Sequence, residues 1–148
     1  MTELPGPLWG HRMMDEEIDH LLTENGVGAL SLTDGETPYT IPISFGYDGD
    51  DRLYFLFVGH SEEGRKASYA DSTAKAGFLV FDVASETEWR SVIVEGELGR
   101  ITPEEWGDAR EAMADNAYQG ELIADHDGFE DPRVWTLEIE ELTGRAVE

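Results

Sequence analysis

From Tyr39 to Tyr47 large and small side chains alternate: Tyr39, Ile41, Ile43, Phe45 and Tyr47 interleave with Thr40, Pro42, Ser44 and Gly46. Successive side chains on a strand point to opposite faces, so this period of two predicts a strand with its bulk on one face. Val27 to Thr33 predicts a strand before it, joined by a turn at Asp34-Gly35. Asp48-Gly49-Asp50-Asp51 predicts the turn into a third strand, Leu53 to Val58. Ala76 to Val83 is apolar at both parities, which predicts a strand buried on both faces and central in its sheet. A fifth strand is expected over Trp89 to Arg100 and a last one over Val134 to Leu142.

Helical signals are confined to three short segments. Met14, Ile18, Leu21 and Leu22 recur at helical spacing, with Asp15 as the expected N-cap and Gly26 as the stop. Gly64 to about Ser72 predicts a second helix. Thr102-Pro103-Glu104-Glu105 opens a third, with Thr102 as N-cap, Pro103 at the first position and Glu105 closing a capping box. Trp106, Ala109, Ala112 and Met113 then share one side of it, and a polar loop around Asp125 to Pro132 leads to the last strand. With no repeat and no break in composition, residues 1–148 are expected to form a single domain. Strands joined by tight turns, with helices at their edges, predict a mainly β fold: an antiparallel barrel with peripheral helices. Pro42 is anomalous in that scheme, because proline cannot donate to a ladder and must face an edge, a bulge or a ligand.

At 148 residues the chain is long enough to bury a core, and 40% apolar content supports a folded domain despite its charge. The absence of cysteine excludes disulfides, thiolate metal sites and a cysteine nucleophile. There are 33 acidic and 10 basic residues, a net charge of -23, and only Lys66 and Lys75 are lysines. Spread evenly, this charge predicts adaptation to a very salty cytosol, where ions screen the self-repulsion. It argues against nucleic-acid binding. No apolar run is long enough to span a bilayer, and Met1-Thr2-Glu3-Leu4-Pro5 lacks the basic start of an export signal, so the expected location is cytoplasmic.

Against that background Gly64-Arg65-Lys66 inverts the sign locally. A guanidinium and an ammonium at a helix start, where free N–H groups and the dipole already favour an anion, suit a phosphate. Ser61 and His60 stand ready as further donors; the alternative is a solvated pair balancing Glu62 and Glu63. Phe45, Tyr47, Tyr54, Phe55, Phe57 and Trp89 either wall a flat heterocycle or form ordinary core. Ser91, at the start of a strand, is a candidate donor to a ring carbonyl. His11, His20, His60 and His126 show no metal-ligand spacing, and neither a P-loop, a G-x-G-x-x-G nor a G-x-S-x-G run is present.

The run from Pro38 to Gly49 (PYTIPISFGYDG) and the strand from Trp89 to Gly96 (WRSVIVEG) together resemble the split-barrel flavin-binding family typified by pyridoxamine 5'-phosphate oxidase. The resemblance extends from about Asp15 to Gly99, with a weaker echo in Glu138 to Gly144. It implies an antiparallel split β-barrel that binds FMN between the two subunits of a homodimer. It further implies that Thr40, Ile41, Pro42, Ile43 and Ser44 meet the isoalloxazine edge largely through backbone groups. Leu56 and Phe57 would border the ribityl chain, Arg65 and Lys66 would take the phosphate, with Ser61 flanking, and Ser91 would reach the ring or ribityl chain. The implied chemistry is electron or hydride transfer between a reduced nicotinamide and a small acceptor. No residue is identifiable as a catalytic acid or base. The basic C-terminal segment of the true oxidases is absent, since Arg133 and Arg145 stand apart, which argues against vitamin B6 as substrate. A deazaflavin-dependent reductase and a non-enzymatic flavin or haem carrier or sensor are the alternatives.

Overall fold

The computed structural model describes residues 10–56, 74–115 and 134–147. In chain order these form β1 (His11–Arg12), α1 (Asp15–Glu24), β2 (Val27–Thr33), β3 (Pro38–Tyr47), β4 (Arg52–Leu56), β5 (Lys75–Ser85), β6 (Glu88–Arg100), a 3-10 turn (Pro103–Glu105), α2 (Trp106–Asp115) and β7 (Val134–Val147). The helix expected from Gly64 and the polar loop before the last strand lie outside the described residues.

Every strand pairing is antiparallel. The strands run β7-β4-β3-β2-β5-β6 and close by pairing β6 with β7, with β1 added on β7, so the fold is an antiparallel split β-barrel. The tight turns are built by aspartates. Asp34 Oδ1 accepts from the N–H groups of Glu36 (2.9 Å) and Thr37 (2.7 Å), and Asp48 Oδ1 accepts from Asp50, Asp51 and Arg52 at 2.8 to 3.1 Å. Each replaces ladder bonds that the reversing backbone cannot make.

Inside the barrel the predicted large parity meets itself. Ile41, Ile43 and Phe45 of β3 are buried with Leu30, Leu32, Phe78, Val80, Val92 and Val94, and Phe78 packs edge-on against both Phe45 (4.9 Å) and Phe55 (5.1 Å). α1 adds Ile18, Leu21 and Leu22 to this core. α2 covers the outside of β3 and β4, where Ala109, Ala112 and Met113 pack with Tyr54, Ile101 and Val134. Gly46 allows that approach: a Cβ there would stand 2.5 Å from the Met113 backbone nitrogen.

Three details differ from the sequence expectations. The N-cap of α1 is Met14 rather than Asp15, and the Glu17 carboxylate reaches back to the Met14 N–H at 3.0 Å. The helix stops at Asn25 rather than Gly26: the Asn25 backbone turns extended, and both its N–H (3.3 Å) and its side-chain amide (2.9 Å) donate to the Leu21 carbonyl. The last strand continues to Val147, since β6 offers partners as far as Trp89.

Candidate functional site

The Pro42 anomaly is settled by which neighbours β3 has. On one side β3 pairs with β2 along its length, from Pro38↔Thr33 to Ser44↔Val27. On the other, β4 pairs only with Phe45, Gly46 and Tyr47. Among the described residues, no strand pairs with Pro38 to Ile43 on that side. The Phe45 N–H donates to the Gly26 carbonyl (3.0 Å), which marks that pair as a hydrogen-bonded one. By alternation, Ile41 and Ile43 spend their main-chain groups on β2, whereas the Thr40 N–H and the Thr40 and Pro42 carbonyls face away from β2, and the Ser44 main-chain groups point toward Leu56 at the end of β4. Proline thus sits where its missing donor breaks no ladder bond.

The side chains of Thr40, Pro42 and Ser44 emerge on the outer face of the barrel, and Ile41 and Ile43 point into the core, each 8% exposed. That outer face runs across the sheet in register. One crosswise row is Pro42, Ala29, Leu79, Ile93 and Thr143; the row on one side of it is Thr40, Ser31, Gly77, Glu95 and Glu141. On the other side stand Ser44 opposite Val27, and Phe81 opposite Ser91. The predicted Ser44 and Ser91 therefore share one face but lie three strand spacings apart, about 14 Å along the sheet. A single polar group cannot bridge them, but a flat heterocycle can lie between. Arg90 points the other way and is held by Asp82 (2.8 Å) and Glu24 (3.5 Å). The Asp82 hydrogen bond, foremost, raises its pKa further.

The face is apolar and bare in the single chain. Phe81 is 57% exposed, Val83 62% and Ile93 50%. Here the expectation for β5 is half met. The strand is interior to the sheet, between β2 and β6, and buries Ala76, Phe78 and Val80, but its second apolar parity is covered by nothing among the described residues. Double-sided hydrophobicity in the sequence was the signal for this surface. Of the other sequence-predicted residues, Leu56 ends β4, and Phe57, Ser61, Arg65 and Lys66 lie outside the described residues.

A second concavity, a cleft of about 590 Å³ between α2 and the β3–β4 turn, is lined by Asp48, Asp50, Glu105, Asp108, Glu111 and Asp115 with Tyr47 and Tyr54. Its one lining cation among the described residues, Arg52, is paired with Glu105 at 2.9 Å. Such a lining repels an anionic ligand. Burial, aided by the hydrogen bond to Asp19 (2.5 Å), drives the Tyr47 pKa well above the usual tyrosine value, so this phenol stays protonated. Among the described residues, no group of three or more His, Asp or Glu is placed to hold a metal ion, and no helix is long and apolar enough to cross a membrane.

Residues 14–146 match a family model described as pyridoxamine 5'-phosphate oxidase. An uncharacterized protein of Rhizobium meliloti (strain 1021) is 29% identical over 89 residues, which is 60% of this chain and 56% of that relative, so the match spans just over half of the relative's length. In structure the chain is similar to an FAD-binding protein of Mesorhizobium loti (TM-score 0.71, 19% identity, 93% of this chain and 98% of that one). It is also similar to a putative 5-nitroimidazole antibiotic resistance protein of Bacteroides thetaiotaomicron (0.66, 19%, 93% and 90%). A third similar structure is the FAD binding protein of Mycobacterium smegmatis (0.67, 18%, 93% and 98%). At these identities the likeness is one of fold.

Proposed function

Because the chain belongs to the pyridoxamine 5'-phosphate oxidase family, we propose that it binds FMN on the outer face described above and acts as a flavin-dependent oxidoreductase on a small molecule. A second copy of the chain would close the site. The observation that carries this reading is the stretch Thr40 to Ile43 of β3, whose main-chain groups on the side away from β2 meet no strand among the described residues and lie beside a bare apolar face. A flavin ring has the matching character, a flat apolar body with one polar edge. Two structures of similar fold are FAD-binding proteins, in keeping with a flavin, and another is a heme binding protein, so haem stays the alternative.

When bound, the flavin supplies the redox chemistry, accepting and returning an electron pair. The chain's part is placement. The Thr40 N–H and the Ser44 hydroxyl are donors for the ring's polar edge, and the Ser91 hydroxyl is a donor from the far side of the face. Leu79, Phe81 and Ile93 exclude water from the ring, and Arg65 and Lys66 hold the phosphate. A site on one face of a small barrel leaves one side of a flat ligand wet, and a two-fold partner seated on the same apolar residues covers it. A reduced nicotinamide is the proposed donor, and a cytoplasm rich in salt the proposed setting for so acidic a surface.

The test is the absorbance spectrum of the purified protein, followed by titration of the flavin-free chain with FMN and riboflavin. An oxidised-flavin spectrum and turnover with a reduced nicotinamide are expected. Replacing Arg65 and Lys66 by Ala should weaken FMN at least tenfold and riboflavin far less, because charge-assisted hydrogen bonds to phosphate contribute about 1.5 to 3 kcal/mol each. A haem or deazaflavin spectrum, or equal losses for the two flavins, would overturn the corresponding part of the proposal.

A further inference from the structure

We propose that Arg12 and Arg145, with the Ser91 hydroxyl beside them, form a binding site for a phosphate or carboxylate group at one end of the outer face. Arg12 of β1 stands directly opposite Arg145 of β7, and Arg145 stands directly opposite Ser91 of β6, which in turn faces Phe81 of β5. One row across four strands thus reads Arg, Arg, Ser, Phe. The Met13 N–H donates to the Gly144 carbonyl at 2.8 Å, which makes that neighbouring pair the hydrogen-bonded kind. Arg12 and Arg145 are then the close kind, with Cα atoms about 4.5 Å apart and side chains on the same face. Both are exposed.

Like charges directly opposite on neighbouring strands repel. In a chain with 33 acidic and 10 basic residues, two arginines side by side run against the composition. Among the described residues no ion pair involves Arg12, and the nearby Glu17 is engaged with His11 (3.7 Å) and with the Met14 N–H. Arg145 is partly fixed, because its Nη2 donates to the Gly10 carbonyl at 3.1 Å and so holds the guanidinium along β1. A phosphate or carboxylate placed between them meets both, since each guanidinium fork can face two of its oxygens. The opposite end of the face has the reverse sign: Glu95, Glu140 and Glu141 line a groove of about 630 Å³ with Lys75, whose ammonium is paired with Glu140 at 2.7 Å. A ligand with an anionic end and a flat apolar body is therefore oriented with its charge on the arginines and its body over Phe81.

The site deepens the flavin reading and rests on it for the ligand's role, with two sources of the anion: a phosphate of the cofactor itself, or an anionic substrate. The experiment compares wild type with R12A/R145A in constant molar potassium chloride, using inorganic phosphate titrated into the flavin-free chain and followed by calorimetry. One more phosphate per chain in the wild type than in the double variant is expected, beyond any that Arg65 and Lys66 take and whether or not the protein takes a flavin. Titrations with FMN, FAD and riboflavin then separate the sources. A loss for FMN or FAD but not riboflavin assigns the anion to the cofactor, for FMN in place of Arg65 and Lys66; unchanged flavin affinities with phosphate binding lost assign it to the substrate. Equal phosphate affinity in both proteins would overturn the proposal. A shift in subunit association without a change in phosphate affinity would do so too, because the arginines would then serve carboxylates of a second copy.

Discussion

Phe81→Ser separates the bare apolar face from the barrel that carries it. In the isolated chain Phe81 is 57% exposed, and so are half or more of Val83 and Ile93. Fully burying a Val, Ile or Phe side chain is worth about 1.5 to 3 kcal/mol, so covering the remaining half of Phe81 gains about 1 to 1.5 kcal/mol. In a symmetric dimer the residue enters twice, and its loss removes about 2 to 3 kcal/mol, or a rise of about 30- to 150-fold in the dimer dissociation constant. The folded monomer should lose about 0.6 to 1.3 kcal/mol, the share of the same side chain that the barrel already buries. Salt helps the comparison. At molar potassium chloride the Debye length is about 3 Å, so repulsion between two acidic protomers is screened and the apolar term decides the outcome. Sedimentation equilibrium in molar salt should show wild-type dimers and a concentration-dependent monomer for F81S, with the thermal midpoint of the dilute variant lower by only several degrees. Identical dissociation constants for the two proteins would refute the reasoning, as would a wild-type monomer that binds flavin stoichiometrically.

Three further outcomes are expected. Gly46→Ala should lower stability by about 1 to 3 kcal/mol, read as a fall in the denaturation midpoint, because the new methyl meets the α2 backbone at Met113 rather than a side chain that can swing aside; an unchanged midpoint would mean that α2 does not seat on β3. Tyr47→Phe should cost about 1 kcal/mol near neutrality by removing the bond to Asp19. Folding raises the Tyr47 pKa, so the folded chain holds that proton more tightly, and its contribution is present below about pH 10 and lost as pH rises beyond it. Stability measured from pH 8 to 11 should therefore decline more steeply for wild type than for Y47F, and parallel curves would count against the assignment. The unfolding midpoint should also climb strongly from low to molar potassium chloride, since 33 carboxylates face only ten cations; indifference to salt would remove the case for a salt-rich cytosol.

What the sequence determined by itself was local and periodic. The alternation from Tyr39 to Tyr47 places Ile41, Ile43 and Phe45 inside, and the Asp-Gly pairs at 34 and 48 make the turns, because a strand's parity and a turn's hydrogen bonds depend on residues a few positions apart. Glu105 caps Thr102 as its spacing requires, accepting the Thr102 N–H at 2.9 Å. Even Pro42 announced a break in the ladder. What it could not announce was which kind, since that depends on the register that turns the Pro42 main chain away from β2. The apolar second face of β5 likewise showed in the sequence as hydrophobicity, but whether a face is covered depends on elements far away in the chain. α2 went to Gly46 and left Phe81 bare. The pairing of Arg12 with Arg145 was invisible for the same reason: 133 positions separate them, and only closure of the barrel, which carries β1 onto the end of β7, sets one guanidinium beside the other.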